Sequence, residues 1–495
     1  MTKKILFFID ASFSSFSVAY FLSKNYDCEL YALVDITNKP KKFFESQNLI
    51  NFKKIWFFHD HMDMSKKPDI DFLEKFEKKY DLNLWNLAIN ERIFYRFFNF
   101  FNFSREKILI LLEQSSKLFE SILDETKPDF FASSIPVFYH HELLTQISEK
   151  KGIYNLLLSM PKLAGKSMIS KKLDQFDKMD NLADIKIKNK TLSELQNYLK
   201  KHVPDKAWKE YWKNQHKINS SIKSKTEYLL SSNEHEKTHY TYFGRTKSSV
   251  INFTLKRTLQ KFYRENFIKK NLENNVDLSV PYVYFPLSVD MERALLFDSP
   301  FYNNQLEIIR IIAKSIPVNY KLYVKENPAQ ASREWRSISE YNEILKIPNV
   351  TLIQPGVVGR DLIKNSSLVI SIAGTSPLEA TFFQKPSIVF GKVIYNTLPS
   401  VYPIDKLHEL PELIKKALNT NVQTSDLEKF IELYEKNTIN FDLLEFETRF
   451  NQKFYYDGAL FDVNIDESIL KKFLDDHEDF FKDLISEYIS KLNSV

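Results

Sequence analysis

The chain has 495 residues, a formal net charge of +5, 43% hydrophobic and 15% aromatic residues, eight glycines and one cysteine. At ~150 residues per domain this length predicts two large domains plus extra elements, and the apolar content is ample for their cores. The single Cys28 excludes a disulfide framework and fits a reducing compartment.

From the amino terminus, Lys4–Ile9 reads as an apolar strand, Ser14–Leu22 as a helix, Glu29–Val34 and Ile55–Phe58 as further strands. Strands at Asp129–Ala132 and Tyr154–Leu158 flank a helix from about Glu142 to Lys150, which makes residues 1–165 a doubly wound α/β domain. Met1 to Asp10 opens directly on a strand, with no basic, long apolar and small-residue series, and no apolar stretch reaches the ~18 residues that span a bilayer. A cytoplasmic protein is expected. Asp10, at the carboxyl end of the first strand, is either a general base or a turn-capping residue, with Ser12 and Ser14 beside it. His140, His141 and Glu142 form a second candidate group that also reads as a plain helix start. His59-Asp60-His61-Met62-Asp63 offers two histidines two apart, but no distant cluster completes a metal site, and a solvated loop is the better reading. Phe94–Phe103 holds seven aromatic residues in ten positions, a pattern that fits a membrane-facing element or a buried helix hairpin.

Residues 166–275 read as a basic, largely helical insertion or linker. Between Lys200 and Lys270 there are 17 Lys and Arg against 6 Asp and Glu, interleaved with Trp208, Tyr211, Trp212, Phe253, Phe262, Tyr263 and Phe267. Such a field suits an anionic membrane surface or an acidic glycan, and equally a solvated linker. No nucleic-acid-binding motif accompanies it, so nucleic acid is not expected as a partner.

Residues 276–403 repeat the α/β pattern. Tyr282–Leu287, Tyr320–Val324, Leu368–Ile372 and Ser387–Phe390 are apolar strands, with a helix over Asn303–Ala313. Four of the eight glycines fall between Gly356 and Gly391. The run LVISIAGTSPLEATFFQKPSIVFG reads as strand, glycine turn, helix and strand, with Pro377 suited to the first helical turn. Polar residues follow each strand: Ser288 and Asp290, then Lys325, Glu326 and Asn327, then Thr375 and Ser376. In an open parallel sheet such groups converge at the strand tips, where an anion would be held. Neither GxGxxG nor GxxxxGK[ST] is present, which argues against a dinucleotide oxidoreductase or a P-loop NTPase. Residues 404–495 read as a helical tail, with apolar spacing over Glu409–Leu418, Ser425–Tyr434 and Glu467–Leu492.

The VKE-x-P strand end at Val324–Pro328, the GTS-x-x-EA turn at Gly374–Ala380 and the KP-x-x-x-FG strand at Lys385–Gly391 resemble the capsule polysaccharide biosynthesis proteins related to Kdo transferases. The likeness is good over roughly Pro281–Pro403 and extends to the amino-terminal region only in layout. It implies a GT-B fold, two Rossmann-like domains facing a cleft, and a glycosyltransferase of surface polysaccharide assembly that works without a bound metal or cofactor. It further implies that Ser288, Lys325, Glu326, Asn327, Gly374, Thr375, Ser376 and Glu379 line the nucleotide-sugar pocket. On the same layout the glycan or lipid-linked acceptor meets Ser12 and Ser14, and Asp10, or His141 with Glu142, supplies the base. The donor nucleotide stays open between CMP, carrying an acidic sugar, and UDP. Where the family usually has His-Pro this chain has Asn327-Pro328, and asparagine carries no positive charge. Three alternatives therefore stay open: a nucleotide-sugar epimerase, a polyol-phosphate transferase, and a noncatalytic assembly protein.

Overall fold

Strands buried on both faces come from continuous apolar runs, and the strand runs of this chain pair as two parallel-dominated sheets. The computed structural model describes residues 2–96, 99–178, 182–202, 218–231 and 238–494. It divides into two units: residues 1–177, 204–249 and 437–495 form the first, and residues 178–203 and 250–436 the second.

Among the described residues, the first unit holds a six-stranded sheet in the order β3-β2-β1-β4-β5-β6. Its strands are β1 Lys3–Asp10, β2 Cys28–Asp35, β3 Phe52–Phe57, β4 Phe130–Ser133, β5 Tyr154–Ser159 and β6 Met168–Ser170. All neighbours are parallel except β5 and β6. The register sets Asp10 against Asp35 at the carboxyl ends of β1 and β2. Ile5, Phe7 and Ile9 of β1 belong to a core shared with the helix Ser14–Asn25 and with Phe441, Phe446, Phe450, Phe473 and Phe481 from the end of the chain. Phe13 lies 5.0 Å from Phe450 and Phe21 4.8 Å from Phe481, ring centre to ring centre, so these phenylalanines serve packing. The tail segment expected as one helix over Glu467–Leu492 is two, Glu467–Asp475 and Glu478–Asn493. The break at Asp476 and His477 places Glu478 and Asp479 in a first helical turn, where negative charge is favoured, rather than mid-helix.

The aromatic cluster is packed within this unit: Phe94 lies 5.0 Å from Tyr139 and 5.6 Å from Tyr240, and Phe101 5.5 Å from Phe243. Phe94 is buried, while Phe100, Phe101 and Phe103 are half-buried in a loop that follows the short π-helical turn Arg92–Arg96, so the described rings are packed but form no helix hairpin. His59, expected in a solvated loop, is buried in a short helix at Phe58–His61, because its ring bonds the β2 carboxylate Asp35 at 2.8 Å.

In the second unit the order is β12-β11-β10-β7-β8-β9, with every neighbour parallel. These are β7 Tyr282–Pro286, β8 Lys321–Lys325, β9 Val350–Ile353, β10 Leu368–Ser371, β11 Ser387–Val389 and β12 Val401–Pro403. Counted from its own first strand, each sheet runs 3-2-1-4-5-6, the doubly wound order whose ligand crevice opens between strands 1 and 4. Those points are the tips of β1 and β4 in one unit and of β7 and β10 in the other. Of the basic segment, Trp208, Tyr211 and Trp212 lie outside the described residues, while Lys247–Asn271 is a helix.

Candidate functional site

In the second unit, β10 ends at Ser371 and the chain turns through Gly374 into a short helix, Ser376–Thr381, with Pro377 in its first turn. A Cβ at Gly374 would stand 2.9 Å from Ser371 Oγ, which itself accepts the Gly374 N–H at 3.1 Å, so a side chain there would have to displace that hydroxyl. The Tyr395 hydroxyl donates to the Gly374 carbonyl and fixes the turn. Gly374, Thr375 and Ser376 are half-buried, while Glu379 is buried, accepts from Thr375 Oγ1 at 3.3 Å and lies 3.8 Å from the Arg360 guanidinium.

At the tip of β8 the Lys325 ammonium is buried and donates to the carbonyls of Glu326 at 3.3 Å and Pro355 at 3.1 Å. Glu326 is fully buried and accepts from Arg336 Nε at 3.0 Å, the Tyr341 hydroxyl at 2.7 Å and the Asn327 N–H at 2.6 Å. Arg336 also reaches Asp290 at 2.9 Å, Glu340 at 3.3 Å and the Ser288 carbonyl at 2.6 Å, and so pins the tip of β7 to that of β8. Burial opposes the Arg336 charge, but the carboxylates of Glu326, Asp290 and Glu340 outweigh it and hold the guanidinium firmly protonated. Asn327 uses both ends of its amide: Oδ1 accepts from Ala329 N–H at 3.0 Å and caps the helix Pro328–Arg333, while Nδ2 donates to the Leu287 carbonyl at 3.3 Å. Ser288, Glu326 and Asn327 are thus joined in one network, and Gly374, Thr375 and Glu379 in another. Arg336, Gln305, which bonds the Ser288 backbone at 2.8 Å, and Tyr395 carry no sequence signature and were not anticipated.

In the first unit, Asp10 Oδ1 accepts from Ser12 N–H at 2.9 Å and Ser12 Oγ at 2.6 Å, and Ser12 Oγ lies 3.2 Å from Ser14 Oγ. The turn that allows this places Phe13 at φ 57°, and it leads into the helix Ser14–Asn25, which has no side-chain cap. Glu447, on the helix Leu443–Phe454, feels the Asp10 charge. Asp10, Ser12 and Glu447 each keep part of their surface open, although protein surrounds them closely. Burial raises the Asp10 carboxyl, against the Ser12 bonds and with help from Asp35. Burial and the Asp10 charge push Glu447 up to about 8. Asp35 behaves oppositely: burial works against its charge, but His140 and His59, each 2.8 Å away, hold it well below the usual carboxylate range. The other His140 nitrogen meets the Tyr240 hydroxyl at 2.7 Å.

His141 is buried, bonded to Ser133 Oγ and stacked 3.8 Å from Phe8, and takes no part in the hydrogen bonds around Asp35. Glu142 is half-buried and accepts from Gln146 at 2.9 Å. Asp35 and Glu447 were not anticipated; Asp35 follows a strand as Asp10 does, and that repeated position was the available signal. Among the described residues, no group of three or more His, Cys, Asp or Glu is placed to hold a metal ion.

Residues 185–399 match the family described as capsule polysaccharide biosynthesis protein. No curated protein matches the chain. Similar solved structures include the β-Kdo 2,7-transferase KpsC of Thermosulfurimonas dismutans, at 11% identity over 63% of this chain and 79% of that one, with a TM-score of 0.30. The UDP-GlcNAc 2-epimerase of Methanocaldococcus jannaschii is similar at 12% identity over 88% and 99%, with a TM-score of 0.25. Anabaena HepE, in complex with UDP and glucose, is similar at 10% identity over 91% and 98%, with a TM-score of 0.26. These superpositions are loose, and the architecture rests on the strand order of the two sheets. The stretch that is similar to the capsule polysaccharide biosynthesis proteins, residues 185–399, takes in most of the second unit.

Proposed function

We propose that the protein is a glycosyltransferase of capsule polysaccharide synthesis, with the nucleotide-sugar donor bound by the second unit and the acceptor glycan by the first. The observation that carries this reading is that the family match falls on a sheet of doubly wound order with a hydroxyl-rich glycine turn at its crevice strand. On this reading the donor phosphate meets the backbone and hydroxyls of Gly374, Thr375 and Ser376, with Lys325 as the cation, and Ser288, Glu326, Asn327 and Glu379 shape the pocket. Glu326 and Asn327 act through the buried network, since their polar atoms are engaged there.

The acceptor hydroxyl meets Ser12, Ser14 and Asp10. Asp10 takes its proton as the oxygen bonds the anomeric carbon, and the bond from that carbon to the phosphate oxygen breaks with its electron pair on the phosphate. His141 and Glu142 support the β4 tip. No metal is needed in this scheme, because cationic and backbone donors stabilise the leaving phosphate. The donor is a CMP-linked acidic sugar or a UDP sugar, and the work is done at the cytoplasmic face of the membrane. The helix Lys247–Asn271 fits that location: Ile251, Leu255, Leu259, Phe262 and Tyr263 are 48–71% exposed at near i, i+4 spacing, among Lys256, Arg257, Lys261 and Arg264. No helix among the described residues is long and apolar enough to cross a membrane.

Calorimetry with CMP, UDP and CDP tests the proposal. One of them should bind, with at least a tenfold loss, about 1.4 kcal/mol, in Thr375→Ala and Lys325→Ala. Binding of none would overturn it in favour of a noncatalytic assembly protein, the reading that the engaged amide of Asn327 favours.

A further inference from the structure

Two cations at the strand tips of the second unit are committed to the fold. Lys325 donates to the carbonyls of Glu326 and Pro355, and Arg336 is shared among Glu326, Asp290, Glu340 and the Ser288 carbonyl. Arg360 differs. It stands in the first turn of the helix Gly359–Asn365, which joins β9 to β10, and 34% of its side-chain surface is open. Its ion pair with Glu379 Oε2 spans 3.8 Å, too long for a hydrogen bond. Its Nε is buried and has no hydrogen-bond partner among the described residues. A guanidinium presents several N–H donors in a planar fork, and a buried donor left idle is costly unless a ligand or water meets it.

The elements around Arg360 set it beside the glycine turn. At Gly359 a Cβ would stand 3.5 Å from the hydroxyl of Tyr284, so the start of this helix lies against β7. The helix Ser376–Thr381, which follows β10, packs on the same helix and carries Glu379. The Glu379 carboxyl bridges the two: Oε1 accepts from Thr375 Oγ1 at 3.3 Å, and Oε2 faces Arg360. Arg360, Glu379 and Thr375 thus form a row that ends at the turn. Glu379 is buried, so it holds the guanidinium near the turn while leaving its fork unengaged. An oxyanion at Thr375 competes for that fork with better geometry, because phosphate and guanidinium match through paired N–H···O bonds. Asn327 offers no such help, since both ends of its amide are bonded within the chain.

We propose that Arg360 is a phosphate-binding residue of the donor site, whose guanidinium leaves Glu379 Oε2 and closes on the phosphate held at Gly374, Thr375 and Ser376. The proposal rests on the reading of the second unit as the donor side and adds a residue to it. The ligand class is a nucleotide phosphate ester, and the sugar is not required. Lys325 is a fixed charge beneath the site, tied to two carbonyls, whereas Arg360 supplies directed donors from the rim.

Calorimetry on the full chain with CMP and UDP, each set against its phosphate-free nucleoside, cytidine or uridine, isolates what the phosphate contributes. Arg360→Gln should weaken the nucleotide that the wild type binds by at least about tenfold, because charge-assisted bonds to phosphate are lost. The matching nucleoside should change by less than about twofold, and the melting temperature should stay as in the wild type. Arg360→Lys keeps the charge without the fork, and its nucleotide affinity should fall between the two. Nucleotide binding by Arg360→Gln within about twofold of wild type overturns the proposal. So does an equal loss of nucleotide and nucleoside, which marks a structural role. A wild type that binds no nucleotide overturns the donor reading and this residue with it, whereas nucleotide binding indifferent to Arg360 overturns this residue alone.

Discussion

Replacing Arg336 by methionine removes a cation that Glu326, Asp290 and Glu340 share. Glu326 is fully buried and would keep only its bonds from Tyr341 and the Asn327 N–H, so its charge loses its partner without gaining water. Breaking a buried pair in this way costs roughly 3–5 kcal/mol. The loss is confined to the second unit, where Trp335, next in sequence and mostly buried, reports unfolding by fluorescence. In urea the transition of that unit should move to lower denaturant by roughly 2 M at a slope of about 2 kcal/mol per molar. The double variant Arg336→Met with Glu326→Gln should recover a large part of the loss, because the stranded charge is gone. A single variant within about 1 kcal/mol of wild type, or a double variant that is no better than the single one, would refute the account of this network. A weakened network also frees the Ser288 carbonyl, so nucleotide binding by this variant should fall further than stability alone accounts for.

Gly244 sits at φ +72°, and a Cβ there would stand 2.2 Å from the Phe100 carbonyl oxygen, so Gly244→Ala should destabilise the first unit by about 2–4 kcal/mol in urea unfolding. Glu91, which accepts from the Tyr139 N–H at 2.6 Å, is pushed up by burial to about 7, against the pull of Arg92. Its folded form holds the proton more tightly than the unfolded one. That contribution is complete below the ordinary value of 4.5 and is lost as pH rises through about 7. Glu91→Gln should therefore flatten the wild-type decline in Tm over this window, by an amount on the order of 3 kcal/mol; an unchanged slope would count against it. Leu255→Ser with Leu259→Ser should weaken sedimentation with anionic vesicles at least tenfold, since burying each leucine is worth about 1.5–3 kcal/mol, and should leave thermal stability unchanged.

Most of the sheet strands were legible because each is a short apolar run bounded by polar or glycine residues. YVYFPL, KLYV and LVIS all form strands within a residue or so of their expected ends. The four-residue β9 was not, because half of its positions are only partly buried and its pattern is too short to stand out. The tips where ligand groups gather followed from strand ends alone. Their partners did not: Arg336, Tyr395 and Glu447 arrive through tertiary contact, and nothing in REWRS or EFETRF marks an arginine or glutamate as special. The histidine run at His59 shows the same limit, since burial against Asp35 came from strand register and not from local pattern.

The phenylalanine-lined face of the first sheet has a consequence for biosynthesis. Phe441, Phe446, Phe450, Phe473 and Phe481 complete a core begun by β1 and the helix Ser14–Asn25, so a segment made early is finished by one made much later. Until residues 437–495 emerge from the ribosome, Phe13 and Phe21 lack the rings of Phe450 and Phe481 that cover them and present an adhesive surface to chaperones. Shortening the chain from its carboxyl end should therefore impair its opening strands, and spare the second unit that lies between them in sequence.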